Sequence, residues 1–464
     1  MRLRHLAVLL SAALTLSGTT AACGAKSSRD SGSGKAGSAG PLDPNTKVTI
    51  TVGCQPPKTA KAERAAWDAD VKAFQARYPN ITIVSRDAFP CIVPETFQAK
   101  LAGGQMEDVF YVYYTDTQNI IRNRQAADIT PYLGGVKRLK DINPPYLQAF
   151  KDAKGRVYGL PRKAYTTGLV YNRKLFARAG LDPDQPPKTW AQVREAAKKI
   201  AALGPGHVGY GEYSAGGNGG WHFTSELYGR GGDVVTPDGR KAAFNGPAGR
   251  AVLQNLKDMR WTDDSMGAKQ LHRWEDLMRL MGGGRLGMMV GAPDVAVEAA
   301  LNFGAKIEDI GAAPLPEAPA SLLGGDGYMI NPKAGPDRIK AALLWLDFRN
   351  LTPGQGQFDH RQLKSLGRPV GVPENILWGS GAGAAREDRE LRRRYATVPV
   401  EHFAPYEDGS ANVRPKTEPP NAQAVYAVLD GPMSAVLTRR DADIGRLLSE
   451  AEKKVNAVLA RTGG

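Results

Sequence analysis

The sequence predicts an α/β protein of two lobes, on three observations. Its 464 residues exceed what one hydrophobic core usually serves. Branched apolar runs that suit strands, Lys47–Gly53 and Ile81–Val84, flank a helical period in which Trp67, Val71, Phe74 and Tyr78 share one face. Further on, Tyr165–Asn172 reads as a buried strand that leads into a short helix, Arg173–Ala179, stopped at Gly180. Thr189 then caps the next helix, Gln192 stands where it completes a capping box, and Trp190, Val193, Ala197 and Ile200 form the apolar stripe.

Hydrophobic residues at 42% and charged residues at 23% describe an ordinary globular chain. The formal charge of +14 is spread along the sequence, and no aromatic-and-basic RNA or DNA module accompanies it, so no nucleic-acid partner is expected. A solvated surface or attraction to an anionic cell envelope accounts for the excess.

From the amino terminus, Arg2, Arg4 and His5 precede an apolar run, Leu6–Leu16, and a small, polar stretch ends at Ala22. The run is too short to span a bilayer and reads as a secretory leader over residues 1–22. Thr20-Ala21-Ala22-Cys23-Gly24 resembles a bacterial lipobox, which implies acylation of Cys23; ordinary cleavage leaving a free thiol is the alternative. Residues 23–45, rich in glycine and serine, then form a flexible tether. Setting Cys23 aside, Cys54 and Cys91 remain, each just beyond a strand of one βαβ unit. A Cys54–Cys91 disulfide is expected, with two buried free thiols as the alternative. No CxxC or His-rich cluster suggests a metal.

Four runs in the middle of the chain carry a resemblance: Gly155–Pro161 (GRVYGLP), Gly168–Phe176 (GLVYNRKLF), Ala179–Leu181 (AGL) and Pro186–Trp190 (PPKTW). Together they closely resemble the central signature of the extracellular solute-binding proteins of ABC importers, in the branch that handles sugars and oligosaccharides. The resemblance implies the two-lobed type II fold of periplasmic binding proteins, with hinge strands between the lobes. Residues 46–165 and 312–360 would form the first lobe, and 166–311 and 361–464 the second. It further implies a lipid-anchored monomer that captures a small solute by hinge closure and hands it to the permease, with neither cofactor nor catalysis.

Sugars offer hydroxyl edges and C–H faces, so their pockets combine aromatic rings with carboxylates or amides. Tyr113, Tyr114, Thr115 and Asp116 follow the strand of GGQMEDVFYV at its carboxyl end, where open α/β sheets collect ligands, and Tyr114, Thr115 and Asp116 are the favoured contacts. Tyr165 holds the hinge position from which the family reaches into its cleft. The glycine-rich loop Ala215–Trp221 presents Trp221, and Asp326 lies in the glycine loop of LLGGDGYMIN. Gly282, Gly284 and Gly287 satisfy G-x-G-x-x-G, yet no dinucleotide-binding βαβ unit precedes them. The resemblance makes that segment a strand and a ligand-side loop ending at Asp294, where the family often has an aromatic; this substitution opens the way to a cationic or amino-bearing sugar. Tyr426 matches the family's late aromatic. A secreted polysaccharide-acting enzyme is the competing reading, since Asp116 with Asp294 or Asp326 could supply paired carboxylates; a surface adhesion or scaffold protein is a third. Arg386–Arg394, dense in both charge signs, reads as a solvated helical face.

Overall fold

The computed structural model describes residues 40–87, 91–92, 94–410 and 412–461. The leader, the Cys23 lipidation and the tether up to residue 39 lie outside the described residues. Among the described residues, ten strands build two sheets: β1 Val48–Gln55, β2 Ile81–Asp87, β3 Val109–Tyr113, β4 Gly159–Thr166, β5 Gly168–Asn172, β6 Val208–Gly211, β7 Leu286–Gly291, β8 Ile310–Pro314, β9 Ala320–Ile330 and β10 Arg414–Lys416.

The first sheet runs β10-β9-β3-β1-β2, with β4 also paired to β9. Strands β1, β2 and β3 are parallel, and β9 lies antiparallel to both β3 and β4. The crossover from β1 to β2 is the helix Lys61–Arg77, which buries Trp67 and Phe74 as its four-and-three spacing requires. Both rings meet Trp345, at 5.9 and 5.2 Å between centroids, in the first lobe's core. Cys54 and Cys91 are joined by a disulfide with their Cα atoms 4.9 Å apart.

The second sheet runs β6-β7-β5-β8 and has a core on each face: Leu169 and Tyr171 of β5 point to one, Val170 to the other. The helix Trp190–Ala201 covers it, begun by the expected capping box between Thr189 and Gln192. Among the sequence's glycines, Gly282 and Gly287 serve packing: a Cβ on either would meet backbone oxygen, of Phe303 at 2.0 Å or of Gly209 at 2.6 Å.

Three expectations change. The single strand foreseen over Tyr165–Asn172 is two, because the chain leaves one sheet for the other at Thr167, where the Thr167 hydroxyl bonds Ser225 at 2.6 Å and Ser321 at 2.8 Å. The segment after residue 361, foreseen wholly in the second lobe, contributes Leu377, Trp378, Ala384 and Ala385 to the first lobe's core. The charged face at Arg386–Arg394 belongs to the helix Gly383–Arg394, but it is not wholly solvated. Asp388 and Arg392 are buried there, Asp388 against His360 at 2.7 Å and Arg392 donating to the Gly371 carbonyl at 2.9 Å.

Candidate functional site

Register along β9 assembles the first wall. Tyr113 of β3 and Lys163 of β4 both stand opposite Asp326, and a bulge between Pro161 and Lys163 frees Arg162 from strict alternation. Arg162 forks the Asp326 carboxylate, Nε–Oδ1 at 2.5 Å and Nη2–Oδ2 at 2.6 Å, with its guanidinium 5.7 Å from the centre of the Tyr111 ring. Burial, and then the charge of Asp326, holds the Tyr111 hydroxyl well above the ordinary phenol range. Tyr113 meets the edge of Tyr111 at 5.3 Å and is 38% exposed.

The second wall follows β6. Tyr213 meets His222 at 3.9 Å and Trp274 at 5.2 Å, both edge-on, and Trp221 touches His222 at 5.0 Å. Trp221 and His222 lie in the first turn of the helix Gly219–Gly229, whose Gly220 lets the backbone of Tyr426 approach: a Cβ there would meet the Tyr426 carbonyl at 2.2 Å. Behind the rings, Glu212 Oε1 and His222 Nδ1 lie 3.0 Å apart but without hydrogen-bond alignment. Burial raises the Glu212 carboxyl well above its usual range and lowers His222 to about 3, so we read the two as a neutral pair. Ser214 and His272 are also buried there without side-chain partners among the described residues.

Between the walls, Lys163 Nζ reaches Asp294 Oδ2 at 2.7 Å, an ion pair that joins the two lobes at the first turn of the helix Asp294–Phe303. Tyr165 sits in the middle. Its ring lies on Gly324, where a Cβ would come within 2.4 Å of it. Its hydroxyl is raised by burial and then by Asp294 and Tyr213 of one lobe, with Glu418 and Asp326 adding to the shift.

At the mouth, the helix Tyr114–Arg122 of the first lobe faces the start of the helix Ala422–Thr438. Gln423 donates to the Thr115 hydroxyl at 3.2 Å, and Arg122 to the Asn421 side-chain oxygen at 3.5 Å. A cleft of about 720 Å³ opens here between Tyr113, Asp116 and Gln98 on one side and Gln423 on the other. A second space of about 410 Å³, lined by Tyr114, Gln118 and Glu418, shares Thr115, Asn119 and Asn421 with it. Tyr426 donates to Glu418 at 3.4 Å, yet burial still pushes the Glu418 carboxyl up to about 8; Asp116 is raised by burial too. A smaller cavity of about 210 Å³, lined by Asp70, Arg349 and His360, holds none of the sequence candidates.

Of those candidates, Thr115 and Asp116 line the 720 Å³ cleft, and Tyr165 lies on Gly324 between the walls. Asp294 and Asp326 line neither of the mouth's two spaces and are committed to Lys163 and Arg162. Trp221 is half-buried beside His222. Tyr114 turns into the first lobe's core at 7% exposure against Phe150, and Tyr426 is buried at 3% under Glu418. The reason at Tyr114 is that β3 ends one residue earlier, so the exposed tyrosine is Tyr113. Reading from sequence named Tyr113 beside Tyr114 but favoured Tyr114, and it missed Tyr213, Trp274, Arg162, Lys163 and Glu418. The signal for Tyr213 and Trp274 was weak, while Arg162-Lys163 beside the hinge was a readable one. No group of three or more His, Cys, Asp or Glu among the described residues is arranged to hold a metal.

Comparison with known proteins agrees with this architecture. Residues 59–355 match the sequence profile described as bacterial extracellular solute-binding protein. The cyclic α-maltosyl-1,6-maltose binding protein of Arthrobacter globiformis superposes with a TM-score of 0.67 at 25% identity, over 89% of this chain and 100% of that one. UgpB of Mycobacterium tuberculosis, in complex with glycerophosphocholine, superposes with a TM-score of 0.67 at 20% identity, over 89% of this chain and 99% of its own. By sequence, a binding protein of Brucella abortus (strain 2308) is 24% identical over 259 residues, 55% of this chain and 61% of that protein's length. The sn-glycerol-3-phosphate-binding periplasmic protein UgpB of the same organism is 40% identical over 78 residues, 17% of this chain and 18% of its own.

Proposed function

The chain belongs to the bacterial extracellular solute-binding protein family, and from that premise we propose that it is the extracytoplasmic capture component of an ABC importer. It closes two lobes on a sugar or oligosaccharide and hands it, chemically unchanged, to a membrane permease. The observation that carries this reading is Tyr165: it stands on the strand that leads through Thr167 from one sheet to the other, with its ring lying on Gly324 of β9 between the two walls. Around it are the parts a carbohydrate needs, the half-exposed rings of Tyr113, Tyr213, Trp221 and Trp274, and at the mouth Thr115, Asp116 and the amides of Gln98 and Gln423. Asp294 and Asp326 contribute by holding Lys163 and Arg162 in place. Tyr114 and Tyr426 support the mouth from beneath.

The two lobes are joined by backbone at Thr167 and by β9, which suits a hinge that interconverts open and closed arrangements, with solute favouring the closed one. Acylation of Cys23 and a tether that ends by residue 41, since Leu42 packs against the first lobe's core, would keep a monomeric binder at the membrane and let it stand off to meet solute and permease. Asp294 and Asp326, which an enzymatic reading would pair with Asp116, are each ion-paired within 2.7 Å, which favours the binding reading.

A thermal-shift screen of mono- and oligosaccharides, amino acids and polyamines tests the proposal. A cognate sugar at a hundredfold excess over its Kd adds about 2.7 kcal/mol of stability. If no carbohydrate raises Tm while an amino acid or polyamine does, the carbohydrate assignment is wrong.

A further inference from the structure

Within the carbohydrate reading above, on which this inference rests, the charges in the cleft narrow the solute. Arg162 and Lys163, which line the separate 210 Å³ cavity, are each neutralised: Arg162 by the two oxygens of Asp326, and Lys163 by Asp294 at 2.7 Å. Two further carboxylates, Asp116 and Glu418, have no basic partner among the described ion pairs, although they are close enough for Asp116 to act on Glu418. They line the adjoining 720 and 410 Å³ spaces that share Thr115, Asn119 and Asn421. Tyr114 lines the same inner space, is 7% exposed, and carries a hydroxyl with no hydrogen-bond partner among the described residues.

Other charged groups line these spaces nearer solvent. Arg122 donates to the amide oxygens of Asn119 and Asn421, Asp152 is paired with Arg156 at 2.7 Å, and Arg461 donates to the Ala457 carbonyl at 3.3 Å. Lys151 remains, half-buried at the outer edge. Water and salt screen such edge charges more strongly than the inner pair. The groups facing Glu418 from neighbouring elements are Asp116, Tyr426, Tyr114, Tyr165 and Tyr228, none of them cationic.

We propose that the solute is an amino-bearing sugar whose protonated amine seats between Asp116 and Glu418, and that the cleft discriminates against phosphorylated or carboxylated solutes. An ammonium supplies the charge and the three donors that these carboxylates and the amide oxygens of the mouth accept. An anion would instead meet these two carboxylates, with, among the described residues, only the solvent-screened edge cations Arg122, Lys151 and Arg461 to receive it. Seating the amine draws Glu418 into its ionised form, so one carboxyl proton passes from Glu418 to the buffer.

The test is calorimetry on the whole protein with pairs of sugars differing only in acetylation: glucosamine and galactosamine, and the glucosamine disaccharide, each against its N-acetylated form, with glycerol 3-phosphate as the anionic probe. The free amine should bind about tenfold tighter than its acetylated partner, and at neutral pH its binding should release about one proton, read from buffers of different ionisation heat. In E418Q the affinity ratio should collapse towards one and the proton release disappear. Acetylated or unsubstituted sugars binding as well as the amine, or glycerol 3-phosphate binding comparably, would overturn the amine assignment and leave carbohydrate capture standing. If no sugar binds at all, the carbohydrate reading falls and this inference with it.

Discussion

The wall built by β3, β4 and β9 pairs its charges: Arg162 forks Asp326, and Lys163 crosses to Asp294. The wall that follows β6 buries Glu212, Ser214, His222 and His272 with no side-chain hydrogen bond among the described residues, beneath the rings of Tyr213 and Trp221. The two respond to burial by different physics. A charge taken out of water is tolerated on the first wall because its counter-charge comes with it. On the second, the ionisable pair gives up its charges, Glu212 shifting up and His222 shifting down. Removing Asp326 from its pair with Arg162 should therefore be costly on the first wall, while making a neutral group permanently neutral should cost little on the second.

The largest effect should come from Asp326→Ala, which leaves the partly buried Arg162 guanidinium unpaired at a cost of about 2–4 kcal/mol in urea unfolding. A loss under about 1 kcal/mol would mean that Arg162 finds water and that the first wall is not a paired one. Next, Trp221→Ala should weaken carbohydrate binding by about 1–3 kcal/mol. Unchanged affinity in calorimetry would return Trp221 to a packing role.

Glu212→Gln should alter stability by no more than about 1 kcal/mol at neutral pH, since the native carboxyl is held protonated. Its pH dependence carries the sharper signal. A carboxyl raised by folding contributes stability below its unfolded value of 4.5 and loses it as pH climbs towards the folded value, so the native protein should weaken on the alkaline side. In the Gln variant this loss should be absent; identical pH profiles of Tm would show that Glu212 is ionised in the fold. The smallest change in stability is expected for Lys163→Met, about 0.5–1 kcal/mol for a partly exposed pair. Because this pair spans the lobes, small-angle scattering of the solute-free variant should show a larger radius of gyration, and an unchanged radius would deny it any part in closure.

Much of the fold could be read from the residues because its causes are local. Thr189 and Gln192 cap their helix within one turn, and Trp67 and Phe74 find the core by helical spacing alone. The site was legible in outline, at strand ends and glycine loops, and less so in detail. β3 buries four residues in succession before Tyr113, so alternation offered no means of choosing Tyr113 over Tyr114. The partners of Asp326 and Asp294 lie 164 and 131 residues away, beyond the reach of any local period.

What the amino-acid sequence by itself determined was the set of α/β units, their caps and stops, and the hinge signature, since each depends on neighbours a few residues apart. The tertiary structure alone decided where the chain leaves one sheet for the other, at Thr167, and which carboxylates are neutralised and which remain open at the mouth. The physical reason is that a charge's state depends on what faces it across the cleft, and here those faces come from strands and helices far apart in the chain.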